Sequence, residues 1–281
     1  MSDIILVLFH HRRNECHLNN SSTPQSATPV DRLVCIDGRF NFRDLGGYET
    51  EDGHRVRWRR VYRSGVMTHI GDQGGAHLAE MGIRVICDFR TTRERERAPT
   101  PWRTLGAADY WCRDYDHSDG EIQRFMATSD RTPENAREVM LESYRHLPFE
   151  QADAYRELYR RLAEGHVPLV FNCSVGKDRT GIAAALLLTL LGVPRRVIRE
   201  DYALTNSVVA RDSKTLMERG HLQHWNFEPA FLPLLQADPD YLDAMFAAIG
   251  KECGTVEGYL RDLGIHAQHC DAIRQELLEP V

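Results

Sequence analysis

Two short apolar runs, residues 83–89 and 167–171, stand out along the chain because several of their side chains are β-branched. Such runs are typical of buried strands. Segments with helical spacing lie between and after them. This alternation predicts an α/β fold with a mostly parallel central sheet flanked by helices.

Three helices are predicted around these strands. The first begins at the pair Thr132-Pro133, where threonine caps the helix and proline takes the first helical position, and it continues until Pro148 interrupts the pattern. The second covers residues 149–164. The third, residues 182–191, is apolar all round, so we expect other elements to enclose it.

The chain of 281 residues, 42% of them hydrophobic, is long enough to form a large core. Residues 1–29 end in a polar tract and are predicted to be a flexible tail, which leaves residues 30–281 as one domain. Residues 207–239 place aromatic and leucine side chains among charged ones. That pattern fits packing on the core or, alternatively, a helical lid insertion over a site.

Charge and cysteine usage exclude several classes of protein. The 35 basic and 41 acidic residues give a net charge of −6, so we expect no nucleic-acid partner, and no apolar run is long enough to act as a stable membrane anchor. The seven cysteines are scattered and form no Cys-x-x-Cys pair, which argues against disulfides and zinc. The histidines show no metal-ligand pattern. We therefore expect a cytoplasmic protein without metal or cofactor, although the sequence leaves secretion by a non-classical route open.

The candidate chemistry lies directly after the second predicted strand. Cys173 and Arg179 have the spacing Cys-x5-Arg, with Gly176 between them and the apolar helix following. The same spacing at Cys87 and Arg93 lacks both a glycine and a following buried helix, so it serves as an internal control. Only the Cys173 copy has the context in which backbone amides converge on a thiol.

This arrangement suits phosphoryl transfer to sulfur. A thiolate is the reactive form of cysteine, and the positive end of a helix, loop amides and nearby cations all stabilise it. The planar fork of Arg179 matches two phosphate oxygens, which lysine could not reproduce. The other residues that we expect to bind the phosphate are Ser174, Val175, Gly176, Lys177 and Thr180.

Further segments carry a resemblance to a known family. Residues 41–48 (Asn-Phe-Arg-Asp-Leu-Gly-Gly-Tyr), 85–90 (Val-Ile-Cys-Asp-Phe-Arg) and 201–206 (Asp-Tyr-Ala-Leu-Thr-Asn) accompany the Cys-x5-Arg-Thr-Gly loop. Together they resemble the cysteine-dependent phosphatases, and within them the bacterial tyrosine-phosphatase-like enzymes with dual protein and phosphoinositide activity. The resemblance covers about residues 30–264 and implies the cysteine-phosphatase fold.

The resemblance also implies roles for individual residues. Cys173 would be the nucleophile, Asp178 within the loop the general acid, and the hydroxyl of Thr180 would stabilise the departing thiolate. Asp114 and Asp116 compete as general acids on a separate loop. The chain departs from the family pattern at Asn172, where a histidine normally precedes the nucleophile.

Four charged residues near these motifs have two interpretations. They either contact substrate or form a salt-bridged scaffold around the loop. They are Arg43, Asp44, Asp88 and Arg90. The charged run at residues 93–97 is interpreted as an exposed helix face.

The sequence thus predicts a phosphomonoester phosphatase that forms a cysteinyl-phosphate intermediate and releases phosphate. Its substrates would be proteins carrying phosphotyrosine, phosphoserine or phosphothreonine, phosphoinositides, or both, since Lys177 adds a second cation to the loop. A phosphate-binding module without turnover is the alternative, because Asn172 or a misplaced acid could prevent cleavage. A thiol-dependent sulfurtransferase is a weaker third hypothesis.

Overall fold

A computed structural model provides the fold and describes residues 32–34, 36, 38, 40–101, 109–116, 121–218 and 229–281. For residues 121–123, 209 and 211–218 it describes the backbone alone. The tail predicted for residues 1–29 lies outside the described residues. The strands of the described part are β1 (Arg43–Asp44), β2 (His54–Val56), β3 (Val61–Ser64), β4 (Val85–Asp88), β5 (Asp109–Cys112), β6 (Leu169–Asn172) and β7 (Leu278–Pro280).

The helices follow the same numbering along the described part of the chain. They are α1 (Asp72–Glu80), α2 (Thr92–Arg97), α3 (Glu121–Ala127), α4 (Pro133–Glu150), α5 (Ala152–Ala163), α6 (Asp178–Leu190), α7 (Arg195–Glu218), α8 (Leu232–Leu235), α9 (Pro239–Cys253), α10 (Val256–Asp262) and α11 (Ala267–Leu277).

The central sheet has the strand order β1-β3-β6-β4-β5. Strands β3, β6, β4 and β5 are parallel, and β1 joins the edge antiparallel to β3. Every residue of β3, β4 and β6 is buried, as expected where helices cover both faces of a parallel sheet. The predicted α/β fold with a mostly parallel sheet is therefore confirmed.

The register of the sheet aligns the ends of three strands. Ser64 of β3 and Asp88 of β4 both lie opposite Asn172 of β6. Because these strands are parallel, the segments that follow them all leave from the edge of the sheet formed by the carboxyl ends of the strands. The residue after Asn172 is Cys173, so this edge holds the candidate site.

Helix α6 passes through the core directly behind that edge. All of its residues from Arg179 to Leu188 are buried, as the apolar pattern predicted. The helix begins at Asp178, four residues earlier than the predicted start at Ile182. An aspartate in the first turn suits the positive end of a helix, which explains the earlier start.

Helix α4 corrects a second predicted boundary. Thr132 caps its N-terminus as expected, but the helix continues through Pro148 to Glu150. A proline removes one backbone donor and disturbs the preceding turn. Because Pro148 lies two residues from the end of the helix, that cost falls on the last turn and does not stop the helix earlier.

The segment predicted as a lid is described in part. Helix α7 extends to Glu218, and a 3₁₀ turn at Pro229–Phe231 leads into α8. Residues 219–228, which include two of the aromatic residues on which the prediction rested, lie outside the described residues. Within the described part, Val208 and Leu235 pack with Phe40 and Val175. The segment therefore contacts the residues that follow Cys173.

The described helices also bear on membrane insertion. None of them combines the length and the apolar character needed to cross a bilayer.

Candidate active site

The loop between β6 and α6, residues 173–177, is here called the Cys173 loop. Cys173 is buried with 2% of its surface exposed, and the backbone N–H of Gly176 donates to its sulfur at 3.3 Å. Gly176 has a φ of +72°, and an added Cβ would lie 2.7 Å from the backbone of Ser64 and Gly65. Both the left-handed backbone and the close approach therefore require glycine here.

Buried polar side chains donate hydrogen bonds to the backbone carbonyls of the Cys173 loop. The amide of Asn41 donates to the carbonyls of Val175 and Gly176 at 3.1 and 3.0 Å. The guanidinium of Arg63 donates to the same Gly176 carbonyl at 2.8 Å. Since these bonds occupy the carbonyls from one side, they turn the loop N–H groups toward the other side, where an anion would bind.

Asp201 on α7 joins the two buried arginines of this network. Its carboxylate lies 3.1 Å from Nε of Arg43 and 2.7 Å from Nη1 of Arg63. Burial alone would raise the pKa of Asp201, but the two cations outweigh it and hold that pKa well below its usual range. Arg43 binds Asn41 as well, so its described contacts are those of the scaffold beneath the loop.

Arg179 lies at the start of α6 and forms a bidentate ion pair with the carboxylate of Glu94. Its Nη1 and Nη2 donate to the two oxygens of Glu94 at 2.7 and 2.8 Å, and Ser174 Oγ donates to the same carboxylate at 2.6 Å. Burial acts to raise the pKa of Glu94, yet the charge and hydrogen bonds of Arg179 hold it well below its usual range. Glu94 thus fixes the guanidinium plane beside Cys173.

Two further groups accept hydrogen bonds from Arg179. Its Nη1 donates to the carbonyl of Phe89 at 3.1 Å and to the hydroxyl of Tyr115 at 3.3 Å. The Tyr115 hydroxyl itself donates to the Phe89 carbonyl. Arg179 is therefore held in one orientation by groups that follow β4 and β5.

Glu94 corrects one part of the interpretation of residues 93–97 as an exposed face: Arg93, Glu96 and Arg97 are exposed, but Glu94 is half-buried. It is the third residue of α2, where its carboxylate accepts the N–H of Thr91 at 2.8 Å and Thr91 Oγ1 accepts the Glu94 N–H at 3.2 Å. This capping box aims the carboxylate toward the Cys173 loop. The sequence Thr-x-x-Glu directly after the Asp-Phe-Arg segment was the available signal.

Asp88 and Arg90 form a second buried pair, with 2.7 Å between Nη2 of Arg90 and Oδ2 of Asp88. Asp88 also accepts from Tyr110 at 2.7 Å and from the amide of Asn172 at 3.3 Å. Asn172, which stands where the family pattern has histidine, therefore ties the end of β6 to the end of β4. These described contacts are those of a scaffold between strand ends.

Asp44 holds a turn outside the Cys173 loop. Its carboxylate accepts the N–H groups of Gly46 at 2.7 Å and Arg59 at 2.8 Å. Burial raises the pKa of Asp44 to about 6, which exceeds the lowering effect of these bonds. The structure does not bring Asp44 into contact with the loop.

The three candidate acids occupy different surroundings. Asp178 is the first residue of α6, and its Oδ1 accepts the Tyr144 hydroxyl at 2.8 Å and lies 3.3 Å from Nζ of Lys177. Asp114 is 87% exposed and pairs with Arg95 at 2.6 Å, and Asp116 is exposed on the same loop. Asp178 therefore adjoins the Cys173 loop, whereas the described side-chain partner of Asp114 is Arg95 on α2.

Lys177 and Thr180 flank these groups and are both buried. The ammonium of Lys177 donates to the carbonyl of Leu234 and, at 3.3 Å, to that of Gln236, so it reaches toward α8. Thr180 Oγ1 has no hydrogen-bond partner among the residues that the structure describes. Over the same residues, no cluster of three or more histidine, cysteine or acidic side chains could hold a metal ion.

Comparison with known sequences decides the family. The family model described as the tyrosine phosphatase family matches residues 34–279, which is most of the chain. The chain belongs to the tyrosine phosphatase family. It is accordingly a phosphoric monoester hydrolase.

Similar proteins carry phosphatase names. A candidate tyrosine-protein phosphatase of Cupriavidus necator is 35% identical over 232 residues, or 82% of this chain and 83% of that protein. The triple specificity protein phosphatase PtpB of Mycobacterium tuberculosis is 31% identical over 277 residues, or 86% of this chain and 98% of that protein. A tyrosine-protein phosphatase of Nostoc commune is 27% identical over 206 residues, or 71% of this chain and 68% of that protein.

Proposed function

We propose that this phosphatase hydrolyses phosphomonoesters through a cysteinyl-phosphate intermediate on Cys173. The sulfur attacks phosphorus, the S–P bond forms, the P–O bond to the leaving group breaks, and Asp178 gives its proton to the departing oxygen. Water then attacks phosphorus and gives a proton to Asp178. The S–P bond breaks, and inorganic phosphate and the thiolate are released.

The observation that carries this proposal is the bond from the Gly176 N–H to the sulfur of Cys173, at the N-terminus of α6. Donors aimed at that point stabilise an anion, whether it is the thiolate or the transferring phosphoryl group. The loop amides and Arg179 would neutralise the charge that develops on the phosphoryl oxygens, a role that needs no metal ion.

The ion pair between Glu94 and Arg179 limits which N–H groups of the guanidinium can bind substrate. Glu94 takes one N–H each from Nη1 and Nη2, which leaves Nε outside that pair of bonds. We propose that phosphate oxygens bind Nε and the remaining N–H of Nη2, because the second N–H of Nη1 already donates to Phe89 and Tyr115. Glu94 would meanwhile hold the edge formed by Nη1 and Nη2. Thr180 would donate its hydroxyl to the sulfur as the thiolate departs in the second step.

The loop and the relatives support a proposal for the substrate class. We propose proteins phosphorylated on tyrosine, serine or threonine, phosphoinositides, or both, in line with the triple specificity in the name of the Mycobacterium tuberculosis relative. Lys177 would contribute the second cation for substrates with several phosphates. In the structure its ammonium is bound to carbonyls of Leu234 and Gln236, so substrate would compete with those bonds.

Replacing the nucleophile tests the proposal. Cys173→Ser should reduce hydrolysis of an aryl phosphate to background, because a serine hydroxyl is a far weaker nucleophile than a thiolate at neutral pH. Phosphate binding, followed by isothermal titration calorimetry, should persist because the loop amides and Arg179 remain. Cys253→Ser, at a half-buried cysteine on α9, is the matched control and should keep full activity. Substantial turnover by Cys173→Ser, or loss of wild-type activity in EDTA with recovery on adding metal, would exclude this mechanism.

A further inference from the structure

The candidate acid is held by a buried tyrosine that the mechanism has not yet used. Tyr144 on α4 is fully buried, and its hydroxyl donates to Oδ1 of Asp178 at 2.8 Å. The ammonium of Lys177 lies 3.3 Å from the same oxygen. Oδ2 of Asp178 has no hydrogen-bond partner in the part of the chain that the structure describes, and the side chain is 31% exposed. One carboxyl oxygen is therefore held, and the other is open.

A second tyrosine fixes the direction of these hydrogen bonds. The Tyr144 hydroxyl is also hydrogen-bonded to the hydroxyl of Tyr202 on α7. Each hydroxyl has one proton, so if Tyr144 donates to the carboxylate, Tyr202 must donate to Tyr144. Burial, and to a smaller extent the negative charge of Asp178, raises the pKa of each tyrosine well above the ordinary value for tyrosine. Both hydroxyls therefore stay protonated.

We propose that Tyr144 is a positioning residue for the general acid. The chain of donors from Tyr202 through Tyr144 ends at Oδ1, so the proton that Asp178 transfers must sit on Oδ2. The terminal torsion of an aspartate is soft, and without such a bond the carboxyl group would sample orientations in which that proton misses the leaving oxygen. This inference rests on the proposed role of Asp178 as the acid.

Tyr144→Phe keeps the ring that packs against Tyr241 and removes only the hydroxyl. On phenyl phosphate, whose leaving group needs a proton, we expect kcat/KM to fall about fivefold to tenfold, the effect of losing one hydrogen bond. On p-nitrophenyl phosphate, whose leaving anion is already stable, the loss should be less than about twofold. Tyr159→Phe, which removes a fully buried hydroxyl without a described partner, is the matched control and should change neither value.

The double variant with Asp178→Asn separates positioning from a general structural effect. If Tyr144 acts through Asp178, Tyr144→Phe should cause no further loss in the Asp178→Asn background. Equal losses on both substrates, or an undiminished loss in that background, would overturn the inference. Should Tyr144→Phe fail to fold, as judged by its melting curve, Tyr202→Phe provides the same test. Its loss of kcat/KM should again be greater on phenyl phosphate than on p-nitrophenyl phosphate, but smaller than the loss expected for Tyr144→Phe.

The two proposals fail in different ways. If Asp178→Asn itself shows no dependence on the leaving group, the acid role of Asp178 is wrong, and the role of Tyr144 falls with it. If Asp178→Asn shows the graded loss and Tyr144→Phe does not, only the role of Tyr144 is wrong.

Discussion

Glu94 and Arg179 illustrate how one ion pair can prepare a binding site. The carboxylate receives two guanidinium N–H groups, the Ser174 hydroxyl and the Thr91 N–H. A guanidinium held this way loses little freedom when an oxyanion binds, so more of the binding energy is available for the transition state. Glu94 is therefore expected to affect catalysis without contacting substrate.

Glu94→Gln should lower kcat/KM for an aryl phosphate by about 10- to 100-fold, the range that follows from misplacing a substrate-binding group. The amide would keep the shape of the side chain, but its NH₂ group would face an N–H of Arg179 and release the guanidinium. Glu96→Gln, on the exposed side of the same helix, is the control. Equal kinetics for the two variants would show that Glu94 does not position Arg179.

The sequence located some site residues more easily than others. Cys173, Gly176, Asp178 and Arg179 lie within seven residues, and the glycine and the apolar helix that follows distinguished this copy of the Cys-x5-Arg spacing from the one at Cys87. Glu94 lies 85 residues from Arg179 along the chain, and its Thr-x-x-Glu motif by itself indicates only a helix start. Contacts of that kind depend on strand order, which local patterns do not contain.

Helix α8 and the Cys173 loop are joined by a buried cation. The Lys177 ammonium binds carbonyls of Leu234 and Gln236 and lies 3.3 Å from Asp178, which accounts for all three of its donors. A buried ammonium without such partners would be costly. The sequence identified the extra cation but could not show that the neighbouring helix would supply its partners.

Lys177→Met should lower the melting temperature by about 2–8 °C, since it removes hydrogen bonds between two elements while keeping the apolar stem. Lys251→Met, whose side chain is 82% exposed, is the control and should leave the melting temperature unchanged. If Lys177 also reaches substrate, kcat/KM should fall more for a phosphoinositide than for a phosphotyrosine peptide. Equal losses on both substrates would assign Lys177 to the loop alone.

At the scale of the whole molecule, the sheet converts distant segments into one site. The parallel register brings the ends of β3, β4 and β6 to one edge, and the residues after them supply Gly65, Arg90 and Cys173. Apolar runs predicted β4 and β6, and with them the fold class. The start of α6 and the end of α4 were misjudged, because the aspartate at the helix N-terminus and the position of Pro148 in the last turn outweighed local propensity. The bounds of a single domain at residues 30–281 stay a prediction.

The most direct test of the account is to capture the phosphorylated enzyme. Asp178→Asn should slow hydrolysis of the intermediate, because the carboxylate that would accept a proton from water is gone. Rapid acid quench during turnover of p-nitrophenyl phosphate, followed by mass spectrometry of the peptides, should then show one phosphate on Cys173. Phosphate on another residue, or turnover with no phosphorylated protein at any quench time, would contradict a cysteinyl-phosphate mechanism.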